Sequence, residues 1–229
     1  MNILIFTGGE AAAPKKFSDF FSQRKFHYII AADSGLDIFE AYSSFYKKIN
    51  PLKLNFILGD MDSVKNRKLI KKYKDVPHEF CSHDKDFSDT ELALMKAHKV
   101  AAKSTEENTI ILVGAGGGRI DHLLGVWETF SKDFSADIWL SNEQKITKLS
   151  EGKSIELCNL KFEERISISC IKLGNEGKGL VLTEGLEWTP AETENTGLIS
   201  LSNRISKNHL EKNLPVKLTA SKGDFLIYS

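Results

Sequence analysis

The chain is poor in the features that mark a compartment or a polymeric partner. Its 229 residues include only three cysteines, Cys81, Cys158 and Cys170. They are odd in number, widely spaced and form no CxxC pair, which argues against both a disulfide framework and a cysteine zinc site. Buried thiols in a reducing cytoplasm are the expectation. No apolar run approaches the ~18 residues of a membrane-spanning helix. The opening MNILIFTGGE lacks a basic n-region and its apolar run stops at Thr7, so it reads as a first buried strand rather than an export signal. Net charge is missing too: 31 basic residues balance 31 acidic ones. Bulk electrostatics therefore give no ground for nucleic acid or an anionic membrane as partner. Internal repeats and low-complexity segments are absent. So are complete nucleotide signatures. A P-loop needs GxxxxGK[ST] and a dinucleotide site GxGxxG, and the glycine-rich stretch GAGGGRIDHLL, Gly114 to Leu124, satisfies neither.

What the chain does have is core-forming material, 41% hydrophobic with 27% charged residues, ordinary for a globular protein. The first ~140 residues alternate short apolar runs with helical patterns, the rhythm of βαβ units. Candidate strands are Asn2–Thr7, Tyr28–Ala32, Leu54–Leu58, Val76–Cys81, Thr109–Val113 and Asp137–Leu140. After Asn142 the runs become short and β-leaning, Ile166–Leu173, Leu180–Thr183, Gly197–Leu201 and Pro215–Tyr228, with polar breaks between them and no long helical period. The expected architecture is an α/β domain with a mainly parallel Rossmann-like sheet over 1–143, then an all-β sandwich domain over 144–229. The basic run Lys65–Lys74 reads as a solvated helix face.

Most of the early strands end at something small or acidic, and open α/β sheets bind ligands outside the carboxyl ends of their strands. Three clusters sit there. GDMDS, Gly59 to Ser63, offers Asp60 and Asp62 at i and i+2, a spacing that suits one hard cation such as magnesium; an Asx-type turn with exposed acids is the structural alternative. In DKDFSDTELAL, Asp84 to Leu94, Ser88 and Glu91 form a capping box with Asp89 at the first helical position. That accounts for these three residues structurally and leaves Asp84 and Asp86 as candidates for phosphate or metal at the helix start. In the opening glycine stretch, Gly116, Gly117 and Gly118 let backbone approach an anion. Arg119 adds a planar donor fork suited to phosphate. Asp121 is placed to hold metal, orient the arginine or accept a proton. His122, beside an apolar helix start, is either structural or a proton acceptor.

ADSG (Ala32–Gly35), GDMDS, DFSD (Asp86–Asp89) and GGGRIDH (Gly116–His122), in that order, together with GLEWTP (Gly185–Pro190) and the pair Ser202-Asn203, resemble the thiamine pyrophosphokinase family over most of the chain. The resemblance implies transfer of pyrophosphate from ATP to the hydroxyl of thiamine, giving thiamine diphosphate and AMP. It implies Mg²⁺ as the metal and a homodimer with active sites shared between chains. By position, Asp60, Asp62 and Asp86 match the family's metal-side acids. Arg119 and Asp121 match its GGRxDH element, with Asp86 beside them in catalysis. Asp33, Asp89 and the three glycines fall at the nucleotide. Ser202 and Asn203 match residues that meet the thiamine pyrimidine, and Trp188 an aromatic position facing the substrate or lying in the β core. Three positions depart from the family's usual pattern: ADSGL stands for ADGGA, Ser88 for a threonine, and Gly125 for an asparagine. A diphosphokinase for another heteroaromatic alcohol, such as a pterin, or a non-catalytic nucleotide or thiamine sensor, are the alternatives.

Overall fold

The computed structural model describes residues 1–79, 87–142 and 144–229. Cys81, Asp84 and Asp86, singled out above, lie outside them. The chain divides into two compact units, Met1–Glu143 and Gln144–Ser229.

In the first unit six parallel strands carry the core. They are β1 (Asn2–Phe6), β2 (Tyr28–Ala32), β3 (Phe56–Leu58), β4 (His78–Glu79), β5 (Thr109–Val113) and β6 (Ile138–Ser141). Their spatial order is β6-β5-β1-β2-β3-β4. Ile3, Leu4, Ile5 and Phe6 are all fully buried, as expected of a strand covered on both faces. Strand β3 starts later than its apolar run suggests. The Asn55 carboxamide oxygen accepts from Ile29 N at 2.9 Å, so a side chain takes a place in the ladder that backbone would otherwise hold.

The helices are α1 (Ser18–Ser22), α2 (Gly35–Tyr46), α3 (Lys68–Lys72), α4 (Asp89–Ala101) and α5 (Ile120–Thr129). In α2, Leu36, Phe39, Tyr42 and Tyr46 recur on one buried face. The two tyrosines keep their hydroxyls satisfied, Tyr42 donating to Ala12 O at 2.9 Å and Tyr46 to Pro14 O at 2.5 Å. Burial raises both phenols above their ordinary range. The capping box read from the sequence is present: Ser88 Oγ accepts from Glu91 N, and the Glu91 carboxylate accepts from Ser88 N at 2.9 Å. The basic run differs from its reading. Leu69 is buried, and Arg67 and Lys72 are engaged rather than merely solvated.

The second unit is built on two antiparallel sheets. Strands β7 (Gln144–Leu149), β9 (Ile166–Lys172), β11 (Gly197–Asn203) and β13 (Asp224–Tyr228) run in the order β11-β9-β13-β7, and β8 (Ser154–Leu157), β10 (Leu180–Glu184) and β12 (Val216–Lys222) in the order β10-β12-β8. Side chains from both sheets, among them Ile168, Val181, Leu218 and Phe225, make one core. A short helix, α6 (Lys207–Glu211), capped by Ser206, was not anticipated. Cys170 is buried but Cys158 is exposed, against the expectation of buried thiols. Among the described residues no helix is long and apolar enough to cross a membrane.

Candidate active site

Sequence neighbours diverge in space between β1 and β5. The strand after β1 in the chain lies on one side of it and β5 on the other, and such a switch point leaves a crevice at the strands' carboxyl ends. Two loops meet there. Glu10 and Gly116 exchange backbone hydrogen bonds, and Ala115 N donates to Gly8 O at 2.8 Å. Gly116 has to be a glycine, since a Cβ would lie 2.6 Å from Ser141 Oγ and 2.8 Å from Glu10 O. Gly117 and Gly118 both hold positive φ, at 60° and 66°, the left-handed region open to glycine.

A cleft of about 310 Å³ opens at this point. One wall is the glycine loop with Arg119, His122 and Val126. Another is the start of α4, Ser88, Asp89 and Thr90, tied to the end of β1 by the Thr7 and Thr90 hydroxyls at 2.6 Å. Asp33, Ser34 and Ser63 form a third. Helix α5 (N-cap Arg119) has no side-chain cap from its N-cap residue, and its positive N-terminal end favours an anion nearby.

The acidic part of the site is assembled by strand pairing. Ala32 and Leu58 are register partners in β2 and β3, which sets Asp33 beside the GDMDS turn. Asp33, Asp60 and Asp62 each present a carboxylate oxygen within 4.8 Å of the others. The turn is built to hold that arrangement. Asp62 N donates to Asp60 Oδ1 at 3.1 Å, Ser63 Oγ to Asp62 Oδ1 at 2.8 Å, and Met61, at a left-handed φ of 61°, buries its side chain in the core. Arg67 clamps the turn from behind, donating to Met61 O and Asp62 O, each at 2.6 Å. Burial raises the Asp33 carboxyl above its ordinary value and the nearby Asp89 and Asp62 charges add to this, while hydrogen bonds from Ser34 and Ser63 oppose it. Asp33 Oδ1 is buried with no hydrogen-bond partner among the described residues. An oxygen-only donor set with one buried oxygen left unpaired fits a hard divalent cation.

Of the predicted residues, Asp33, Asp89, Gly116, Gly117, Gly118 and Arg119 share the cleft, and Asp60 and Asp62 join it through Asp33. Asp121 does not line it. It is exposed and bound bidentately to Arg119, at 3.2 and 2.5 Å. The guanidinium holds the Asp121 carboxyl below its ordinary range. Trp188, Ser202 and Asn203 lie in the second unit. Trp188 is 55% exposed, so it is not core. Ser202 is exposed at a left-handed φ of 56°, and Asn203 is buried. Sequence reasoning passed over Thr7, Thr90 and Ser63 as cleft residues, and Arg67 as the clamp. Ser63 was signalled by its place in GDMDS; the others carry no linear signal.

The family model described as thiamin pyrophosphokinase, catalytic domain, matches residues 22–140. Comparison with curated proteins gives no match. Among solved structures, a thiamin pyrophosphokinase family protein from Enterococcus faecalis is 19% identical, with 100% of this chain and 98% of that chain covered and a TM-score of 0.68. Thiamin pyrophosphokinase from Candida albicans is 16% identical over 99% of this chain and 88% of that one, TM-score 0.68. Thiamine pyrophosphokinase from Bacillus subtilis is 18% identical over 100% and 98%, TM-score 0.62. At these identities the structural likeness establishes the fold. The matched segment is more than half of the chain, and the protein belongs to the thiamin pyrophosphokinase family and carries its catalytic domain.

Proposed function

We propose that this enzyme transfers the pyrophosphoryl group of ATP to the hydroxyl of thiamine. The alcohol oxygen bonds to the β-phosphorus, the bond from that phosphorus to the bridging α,β oxygen breaks, AMP leaves and one proton is released. The observation that carries the reading is the convergence, at one cleft, of a glycine loop, an arginine and three carboxylates. Asp60 and Asp62, with Asp33 beside them, are suited to hold Mg²⁺, and Asp86, outside the described residues, joins them by family position. Bound there, the metal would neutralise charge on the triphosphate.

The chain's own groups do the rest. The backbone of Gly116, Gly117 and Gly118 cradles the polyphosphate, with N–H donors from Gly117 and Gly118, since Gly116 N is already held by Glu10 O, and the start of α5 adds its partial positive charge. Arg119 stabilises charge developing near the transferred phosphorus, because a donor fork set in advance costs no reorganisation during the reaction. Asp121 aims that fork. Both of its oxygens are taken up by the guanidinium, which leaves Asp86 and His122 as the proton acceptors in this reading. Asp89 sits at the nucleotide side of the cleft. The corner formed by Trp188, Ser202 and Asn203 binds thiamine, whose permanent cation suits an aromatic surface. We place the enzyme in the cytoplasm, as a homodimer with shared active sites.

Incubation with ATP, Mg²⁺ and thiamine should give AMP and thiamine diphosphate in equal amounts. Asp60→Ala and Asp62→Ala should each lower the rate by at least ~100-fold, a loss typical of residues that organise transition-state electrostatics, with little change in melting temperature. Near-normal rates in both variants sink the metal assignment. Release of AMP with a pterin alcohol but not with thiamine reassigns the acceptor, and binding of both ligands without AMP makes the protein a sensor.

A further inference from the structure

The carboxamide of Asn203 has no hydrogen-bonding capacity left for a ligand. Asn203 is 1% exposed. Its Oδ1 accepts from Trp188 N at 3.2 Å and from Arg204 N at 2.9 Å, and its Nδ2 donates to Trp188 O at 2.6 Å and to Ser200 Oγ at 3.1 Å. An asparagine side chain has two donor hydrogens and two acceptor lone pairs, so these bonds use all of it. The irregular end of β11 makes this possible. The register shifts between Ser200 and Asn203, and Ser202 takes a left-handed backbone, which turns Asn203 inward as a β-bulge re-aims a side chain.

Two of the bonds go to the backbone of one residue. They fix both the N–H and the carbonyl of Trp188, whose indole stands largely exposed. The neighbouring strand segment adds to the fixation, with Glu187 N donating to Arg204 O at 2.9 Å. Arg204 stands beside the same indole, its Cζ 5.2 Å from that ring's centroid and 4.3 Å from the Phe162 centroid. Its Nε is buried with no hydrogen-bond partner among the described residues, so aromatic faces rather than acceptors locate the guanidinium.

We infer that Asn203 is a positioning residue: it acts by setting Trp188 as a rigid platform for the substrate's ring system and does not itself touch the substrate. The inference rests on the thiamine reading of this corner. A residue that contacts thiamine independently of Trp188 and one that works through it differ in a double-mutant cycle. Thiamine Kd is measured by isothermal titration for the intact protein, Asn203→Ala, Trp188→Ala and the double variant. Each single variant should weaken binding about tenfold, the scale of one aromatic contact, and the double variant no more than Trp188→Ala alone. Losses that multiply in the double variant overturn the inference, since they mean Asn203 reaches thiamine by itself. Normal thiamine binding by Trp188→Ala removes the thiamine reading of the corner, and the inference with it. Acrylamide quenching provides a ligand-free readout. With Trp188→Phe as the blank for Trp127 and Trp139, quenching of the Trp188 indole should rise in Asn203→Ala, and an unchanged quenching constant counts against positioning. If Asn203→Ala does not fold, Asn203→Ser, which keeps a donor hydroxyl, takes its place in the cycle.

Discussion

Arg119 and Asp121 form an ion pair that adds little to stability, because both side chains are mostly in water, at 72% and 62% exposure. What the pair fixes is direction. The bidentate geometry holds a five-donor fork at the mouth of a cleft whose floor is glycine backbone. Arg119→Ala should therefore lower kcat/KM for ATP by ~10- to 100-fold, the scale of a lost hydrogen bond to a charged group, and leave thiamine affinity unchanged. Arg119→Lys restores the charge but not the fork, so it should recover only part of the loss. Steady-state kinetics for ATP and a binding titration for thiamine check this, and a larger effect on thiamine than on ATP contradicts the role. At this scale the sequence is legible where adjacency along the chain is adjacency in space. Asp60, Asp62 and Ser63 are such a case, as is the Arg119–Asp121 pair. It is silent where proximity comes from strand register, which brings Asp33 to the GDMDS turn, or from a fold-back such as Arg67 onto the carbonyls of Met61 and Asp62.

Helix α4 shows how an element can be written in four residues. Ser88 and Glu91 satisfy each other's backbone groups, and Lys132 binds the Glu91 carboxylate at 2.7 Å. Burial pushes the Glu91 carboxyl up, but Lys132 and the Ser88 bonds outweigh it and hold it below its ordinary value of 4.5. A folded-state pKa below the unfolded one stabilises at pH values above the unfolded pKa, and that contribution fades as pH falls through the folded value. Ser88→Ala should cost ~1 kcal/mol at neutral pH, the usual worth of an N-cap, and the difference from the parent should shrink in acid once Glu91 is protonated. Denaturant melts at pH 7 and in the acid range test both parts. A cost independent of pH denies the coupling of cap and carboxylate. The cap was readable because its signal is local, and β1, β2 and β5 because fully buried strands are unbroken apolar runs. Strands β7 and β8 were not, since their half-exposed patterns mix polar and apolar residues without clean alternation, and α6 is too short to display a helical period.

For the whole molecule the decisive property, on the proposed reading, is that the chemistry is divided between two compact units. The carboxylates, glycine loop and Arg119 belong to Met1–Glu143, and the Trp188–Asn203 corner to Gln144–Ser229. If active sites are shared between chains of a homodimer, lesions in the two units complement each other. Asp60→Ala damages every site its first unit serves, and Trp188→Ala every site its second unit serves. A mixed dimer then has one site with both lesions and one with neither. After denaturation and refolding of an equimolar mixture, half of the dimers are mixed and one site in two of those is intact, so about a quarter of the parent activity should return. Assayed at thiamine well below the parent KM, where a tenfold loss of affinity leaves about a tenth of the rate, neither variant refolded alone should reach that quarter. Recovery requires both an oligomer and a site drawn from two chains, so failure to complement in a mixture shown to be dimeric by light scattering means that each chain supplies its own complete site.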